Sequence, residues 1–196
     1  MTVTRLPPGR HLDLLMASLA VEADAQRALL AGDRVTARTK FGEAAAGYRG
    51  SFSCAPPHSY GRLVGMLKAA VIGGNAGEAA AFARTALSGA ASTPTAGYAS
   101  AIAALVGDDA DGARRGAMLM RSGDEPFGRA ARAVCAIADG DHAGYAEVCR
   151  EIVADFAHRT VHLTGVAIAD TAVMFEALAA ERGMACRPLS PLMPPV

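Results

Sequence analysis

Ile137-Ala138-Asp139-Gly140-Asp141 closes one apolar run and opens another, and the reading of this pentapeptide decides the fold. Glycine adopts the left-handed backbone that ends an α-helix, and an aspartate just after it accepts backbone N–H groups at the start of the next. The same signal stands at Leu29-Leu30-Ala31-Gly32-Asp33, Val71-Ile72-Gly73-Gly74-Asn75 and Leu105-Val106-Gly107-Asp108. The glycines Gly32, Gly74, Gly107 and Gly140 are separated by 42, 33 and 33 residues. A period near 33 is the length of a helix–turn–helix unit, which cannot bury its apolar face alone and stacks on its neighbour. The longer first interval contains Ser51 to Pro57, where Cys54, Pro56 and Pro57 make the longest break.

Working outward from these turns, the apolar periodicity predicts nine helices, near 11–31, 33–49, 58–73, 76–88, 95–106, 110–121, 126–139, 142–157 and 160–182. No strand pattern competes with them. Of the 196 residues 52% are hydrophobic, but about 45 are alanine, 21 are glycine and none is tryptophan, so the core is built from small side chains. That composition favours closely packed helices over sheets. The length suits one all-helical domain, 1–184, followed by a tail, 185–196, whose Pro188, Pro191, Pro194 and Pro195 keep it extended, packed on the last helices or frayed.

In the first unit the spacing Gly32-x4-Ala37-x3-Phe41-x2-Ala44 resembles the second helix of tetratricopeptide repeats, where small residues admit the neighbouring helix and an aromatic fills the gap. The second unit repeats it as Gly74-x4-Ala79-x3-Ala83-x2-Ala86. The tryptophan of the first-helix signature is missing throughout. The resemblance implies an all-α, right-handed stack of antiparallel hairpins, a tetratricopeptide-like solenoid. It does not by itself bring that family's binding groove.

Nineteen basic groups cancel nineteen acidic ones, so no field favours nucleic acid or an anionic membrane as the partner. Residues 1–98 hold 10 basic and 6 acidic groups and residues 99–196 hold 9 and 13, a mild split into net +4 and net −4. Residues 85–107 carry no charge but contain Pro94, Gly89, Gly97 and several hydroxyls, too polar for a membrane span. Pro7, Pro8, Asp13 and Glu22 around Arg5, Arg10 and the apolar run 14–21 make a poor signal peptide, and a cytoplasmic protein is expected. Cys54, Cys135, Cys149 and Cys186 form no C-x-x-C pair and read as small core residues.

Candidate chemistry is sparse. Asp155, His158 and His162 fall at i, i+3 and i+7, one face of a helix if the helix carries through, and two histidines four residues apart suit one metal ion. The glutamate of H-E-x-x-H is absent and a helix break lies nearby, so surface or capping histidines are the simpler account and no metal is assigned. Asp108, Asp109 and Asp111 sit where the other units place a cap, and their spacing is not D-D-x-x-D. Gly73-Gly74-Asn75-Ala76-Gly77 lacks the Lys-Ser of a phosphate loop and reads as a turn. Cys54 with His58, and Cys149 with His142 or Tyr145, are the nucleophile candidates, set against ordinary packing. Arg114, Arg115, Arg129 and Arg132 lack interleaved aromatics and read as solvated or paired with neighbouring carboxylates. The helix expected over 160–182 is apolar nearly all round, with Val161, Leu163, Val166, Ile168, Val173, Met174, Phe175 and Leu178. Other repeats or another chain must cover it, and Asp170 inside it must be hydrogen-bonded, paired or shifted in pKa.

Three stretches carry a second resemblance: Ser122-Gly123-Asp124-Glu125-Pro126-Phe127-Gly128-Arg129-Ala130-Ala131; then His142-Ala143-Gly144-Tyr145; and Leu178-Ala179-Ala180-Glu181-Arg182-Gly183-Met184 with Ser190-Pro191-Leu192-Met193-Pro194. Together they are similar to the immunity-protein-49 family of bacterial polymorphic toxin systems, over about the last 75 residues. The resemblance implies a small helical protein that binds and neutralises a cognate toxin and has no catalytic residues or cofactor. The leading expectation is therefore a non-enzymatic helical-repeat protein with a protein partner. The alternative is a small-molecule-binding protein or enzyme with a pocket between helices near Asp170, His158 and His162. A third reading is a homodimer formed through helix 160–182.

Overall fold

The computed structural model of the chain describes residues 9–89 and 92–194. Arg5, Pro7 and Pro8, the start of the expected domain and the end of the tail at 195–196 lie outside these. Among the described residues there are nine α-helices and no strand: α1 (Arg10–Leu30), α2 (Arg34–Ser53), α3 (Gly61–Gly73), α4 (Ala76–Ala86), α5 (Pro94–Val106), α6 (Ala110–Met120), α7 (Glu125–Asp139), α8 (His142–Ala157) and α9 (Asp170–Ala180). None of these helices is long and apolar enough to cross a membrane.

The four turns behave largely as their residues dictate. Gly32, Gly74 and Gly140 take positive φ, and Asp33 and Asp141 cap α2 and α8 by accepting from the N–H groups of Thr36 and Gly144 at 3.0 and 2.9 Å. Two details differ. At the third turn Gly107 keeps φ −91, Asp108 takes the left-handed position at φ 56, and Asp109 caps α6 through the Gly112 N–H at 2.7 Å. Asn75 precedes α4 without a side-chain cap bond. The break after α2 also falls later than expected. The helix runs on to Ser53, and α3 begins only at Gly61, because His58 adopts φ 68 and turns the chain.

Each helix packs on the next from α1 to α8, and α3, α5 and α7 also touch directly in series. The contacts are close because the side chains are small. At the α5–α6 crossing a Cβ on Gly116 would lie 2.7 Å from the Gly97 carbonyl oxygen and 2.8 Å from the Ala101 nitrogen, so only glycine admits this approach. One apolar cluster runs from Ala25 to Met184, with Leu63, Leu67, Ile102, Ile137, Tyr145 and Phe175 among its largest buried members.

The largest departure from expectation is the helix predicted over 160–182. Residues 158–169 are irregular and only Asp170–Ala180 is helical. Thr160, Val161 and Thr164 are β-branched, and Gly165 takes φ 76, so the segment loses little by leaving the helix. Its apolar residues divide accordingly. Val166 and Ile168 join Ala23 and Val173 in a small buried cluster, α9 packs on α3, α7 and α8, and Val161 and Leu163 stand 79% exposed. The chain's own helices thus cover most of the run. The tail is packed as well: Cys186, Leu192 and Met193 rest on the core, and the Ala169 N–H donates to the Leu192 carbonyl at 2.9 Å.

Candidate functional site

Two adjoining clefts share Phe156, Arg159 and Thr171, and the irregular segment after α8 lines the second of them. The first, about 240 Å³, lies between α3, α5, α7 and α8, with Tyr98, Phe127, Phe156 and Ile152 as its apolar walls. Tyr98 packs edge-on against Phe127, their ring centres 6.2 Å apart. Its residue is only 8% exposed, and its hydroxyl makes no well-aligned hydrogen bond, although the Thr171 side chain lies near enough to act on it. Burial pushes that phenol up to about 12, so it stays a neutral donor at physiological pH.

One wall of the first cleft is ionic. Asp155 Oδ1 accepts from Arg129 Nη2 at 2.6 Å, and Asp155 Oδ2 accepts from Arg159 Nη2 at 2.5 Å. Arg129 also donates to Glu125 Oε1 at 2.6 Å, and the Arg159 guanidinium lies 3.7 Å from the centre of the Phe156 ring. A carboxylate bridging two guanidinium groups is fixed in position.

The second cleft, about 130 Å³, is polar at its floor, where Lys68, Asp170 and Thr171 line it beside Gln26, His162 and Thr164. Lys68 Nζ sits 2.5 Å from Asp170 Oδ2 and 3.3 Å from Thr171 Oγ1, with both members of the ion pair 14% exposed. Beneath them is Glu22, 3% exposed, which accepts from the Tyr48 hydroxyl at Oε2 and from Gln26 Nε2 at Oε1, the latter at 3.3 Å. Thr164 donates to Gln26 Oε1 at 2.5 Å, tying the irregular segment to α1. Burial raises the Glu22 pKa, with the Lys68 charge opposing it. Burial acts to lower the Lys68 pKa, but the neighbouring carboxylates, Asp170 foremost and then Glu22, outweigh it and hold the ammonium above its ordinary range. His162 lines the cleft, its Nδ1 buried and without a hydrogen-bond partner.

These positions correct several sequence expectations. Asp155, His158 and His162 do not share a helix face, because α8 ends at Ala157. His158 caps that end from outside, its Nδ1 2.6 Å from the Ala154 carbonyl oxygen. Asp170 does not interrupt a helix but starts one, and it is paired with Lys68. Of the four candidates only His162 and Asp170 line one cleft, and Asp155 lines its neighbour. Of the other candidates, Cys149 does meet Tyr145, whose hydroxyl lies 3.7 Å from its Sγ, while the rest separate. Cys54 donates to the Gly50 carbonyl while His58 Nδ1 lies 3.2 Å from the Tyr60 hydroxyl. Asp108, Asp109 and Asp111 face Arg182, Arg115 and Arg114 respectively. Sequence reasoning missed Glu22, Lys68, Tyr98 and Phe156. A signal existed for Lys68, the one charge between Leu63 and Ile72, which poses the same question as Asp170. Compared with known proteins, the chain matches no family model, no curated protein and no solved structure at a significant level.

Proposed function

We propose that this chain is a non-enzymatic binding protein on a tetratricopeptide-like stack of hairpins, and that its partner is another protein. The observation that carries this reading is the aromatic cleft of Tyr98, Phe127 and Phe156, which adjoins the second cleft at Phe156 and Arg159; Leu163, lining that second cleft, and Val161 two residues before it stand 79% exposed. Exposed aliphatic residues flanking an apolar cleft with an arginine at its rim match the composition of protein recognition sites. Catalysis fits less well, because Asp155 and Asp170 are neutralised by Arg129, Arg159 and Lys68. The resemblance to the immunity-protein-49 family makes a bacterial toxin the partner of choice. Isothermal titration with the products of the genes that neighbour this one tests it. Wild type binds and Val161→Ser/Leu163→Ser binds at least about tenfold more weakly, a loss of about 1.4 kcal/mol, with unchanged far-ultraviolet dichroism. Binding that is absent, or unaffected by the double substitution, overturns the reading.

A second reading places a small molecule in the clefts. It rests on two buried polar atoms without a well-formed hydrogen bond, the Tyr98 hydroxyl and His162 Nδ1, on residues that line the first and second clefts respectively. Such groups are ordinarily satisfied, and a ligand that bonds to them would do so. Native mass spectrometry of the protein as purified separates the readings. A bound small molecule lost in Tyr98→Phe supports the second, and a ligand-free mass opposes it.

A further inference from the structure

The tail meets α8 and α9 at a cluster of soft and hard ligand atoms that the clefts do not involve. Cys149 Sγ, a carboxylate oxygen of Glu176 and Cys186 Sγ all lie within 4.8 Å of one another. Glu176 Oε1 accepts from the Cys186 thiol at 3.3 Å, from the Cys186 N–H at 3.1 Å and from the Tyr145 hydroxyl at 2.6 Å. Its other oxygen accepts from the Arg187 N–H at 2.7 Å. We propose that Cys149, Glu176 and Cys186 form a binding site for one thiophilic divalent cation of the zinc class.

Three observations support it. Two sulfurs and one carboxylate oxygen are a donor set that soft or borderline divalent metals prefer over magnesium or calcium. Thiolate sulfurs about 2.3 Å from a tetrahedral zinc lie about 3.8 Å apart, so the observed grouping closes onto a metal with small side-chain shifts. The carboxylate is oriented in advance, since the Arg187 N–H fixes Oε2 and leaves Oε1 facing the sulfurs, with the Tyr145 hydroxyl placed to donate to it. Access is available as well: Glu176 also borders a surface cleft of about 360 Å³ with Ala185, Arg187 and Pro188. The charge balances on binding. Each thiol releases one proton to solvent as the dication enters, and the formal charge of the cluster is unchanged. Burial raises both thiols above their ordinary range, so a metal must displace a proton from each of them.

The test uses the full chain, metal-stripped and kept reduced, titrated with cobalt(II). The expected result is one equivalent bound, with a near-ultraviolet thiolate-to-cobalt band and tetrahedral visible bands, both displaced by zinc. Because two protons leave, apparent affinity falls about a hundredfold per pH unit below the thiol pKa values. Cys186→Ser, at a half-buried position on the tail, abolishes the band while the metal-free protein keeps its melting temperature. Cys54→Ser, at the exposed thiol outside the cluster, retains it. No thiolate band, a band that survives in Cys186→Ser, or an affinity independent of pH overturns the proposal.

Discussion

Replacing Lys68 by methionine tests the floor of the polar cleft most directly. The substitution keeps the length of the side chain and removes its charge. Asp170, whose partner ammonium is 2.5 Å away at 14% exposure, is left beside the buried Glu22 with no counter-charge. Stranding one member of a buried pair costs about 3–5 kcal/mol, against about 1 kcal/mol or less for an exposed pair. In a chain of 196 residues that loss lowers the melting temperature by about 6–20 °C. Urea denaturation at pH 7 measures the free energy and scanning calorimetry the shift. Lys68→Met/Asp170→Leu removes both charges and loses less than the sum of the single variants, with a coupling of up to about 3 kcal/mol. The pH dependence has a definite sign. Burial holds the native pKa of Glu22 above its unfolded value, so its contribution favours folding at acid pH and is lost as pH rises through the native value. Removing Lys68 removes the charge that opposes this rise, so the variant's deficit is greatest at neutral pH and narrows as the carboxyl group protonates. A deficit under about 1 kcal/mol at pH 7, or one that widens in acid, would refute a buried, coupled Glu22–Lys68–Asp170 cluster.

Gly116→Ala should destabilise by about 1–3 kcal/mol in urea titration even though alanine is the better helix former, because its Cβ meets the backbone of α5. Asp141→Ala removes the acceptor for the Gly144 N–H and should cost about 1 kcal/mol, read as a fall of about 2–4 °C in melting temperature. Alkylation of the native protein followed by peptide mapping should modify the exposed Cys54 first and the fully buried Cys149 last; equal rates would contradict the packing of α8.

The helical hairpins were legible because their signals are local. A glycine tolerates positive φ and an aspartate reaches the N–H three residues on whatever the rest of the chain does, so Gly32, Gly140, Asp33 and Asp141 could be read directly. The third turn shows the limit, since whether Gly107 or Asp108 takes the left-handed position depends on a residue or less of register. The segment after Ala157 was misread because hydrophobicity alone does not separate a buried helix from a buried loop. Val166 and Ile168 are as buried as any helical residue, yet they belong to irregular backbone held by Thr164, Gln26 and the tail.

By itself, the sequence determined an all-helical chain of paired helices with a core of small residues, since alanine, glycine and capping residues act within a few positions of themselves. The tertiary structure decided which charges meet. Glu22 and Lys68 reach Asp170 from 148 and 102 positions away, and Cys149 finds Cys186 across 37, through the packing of α9 and the tail onto the earlier helices. Both candidate sites depend on such distant pairs, and only three-dimensional packing brings them together.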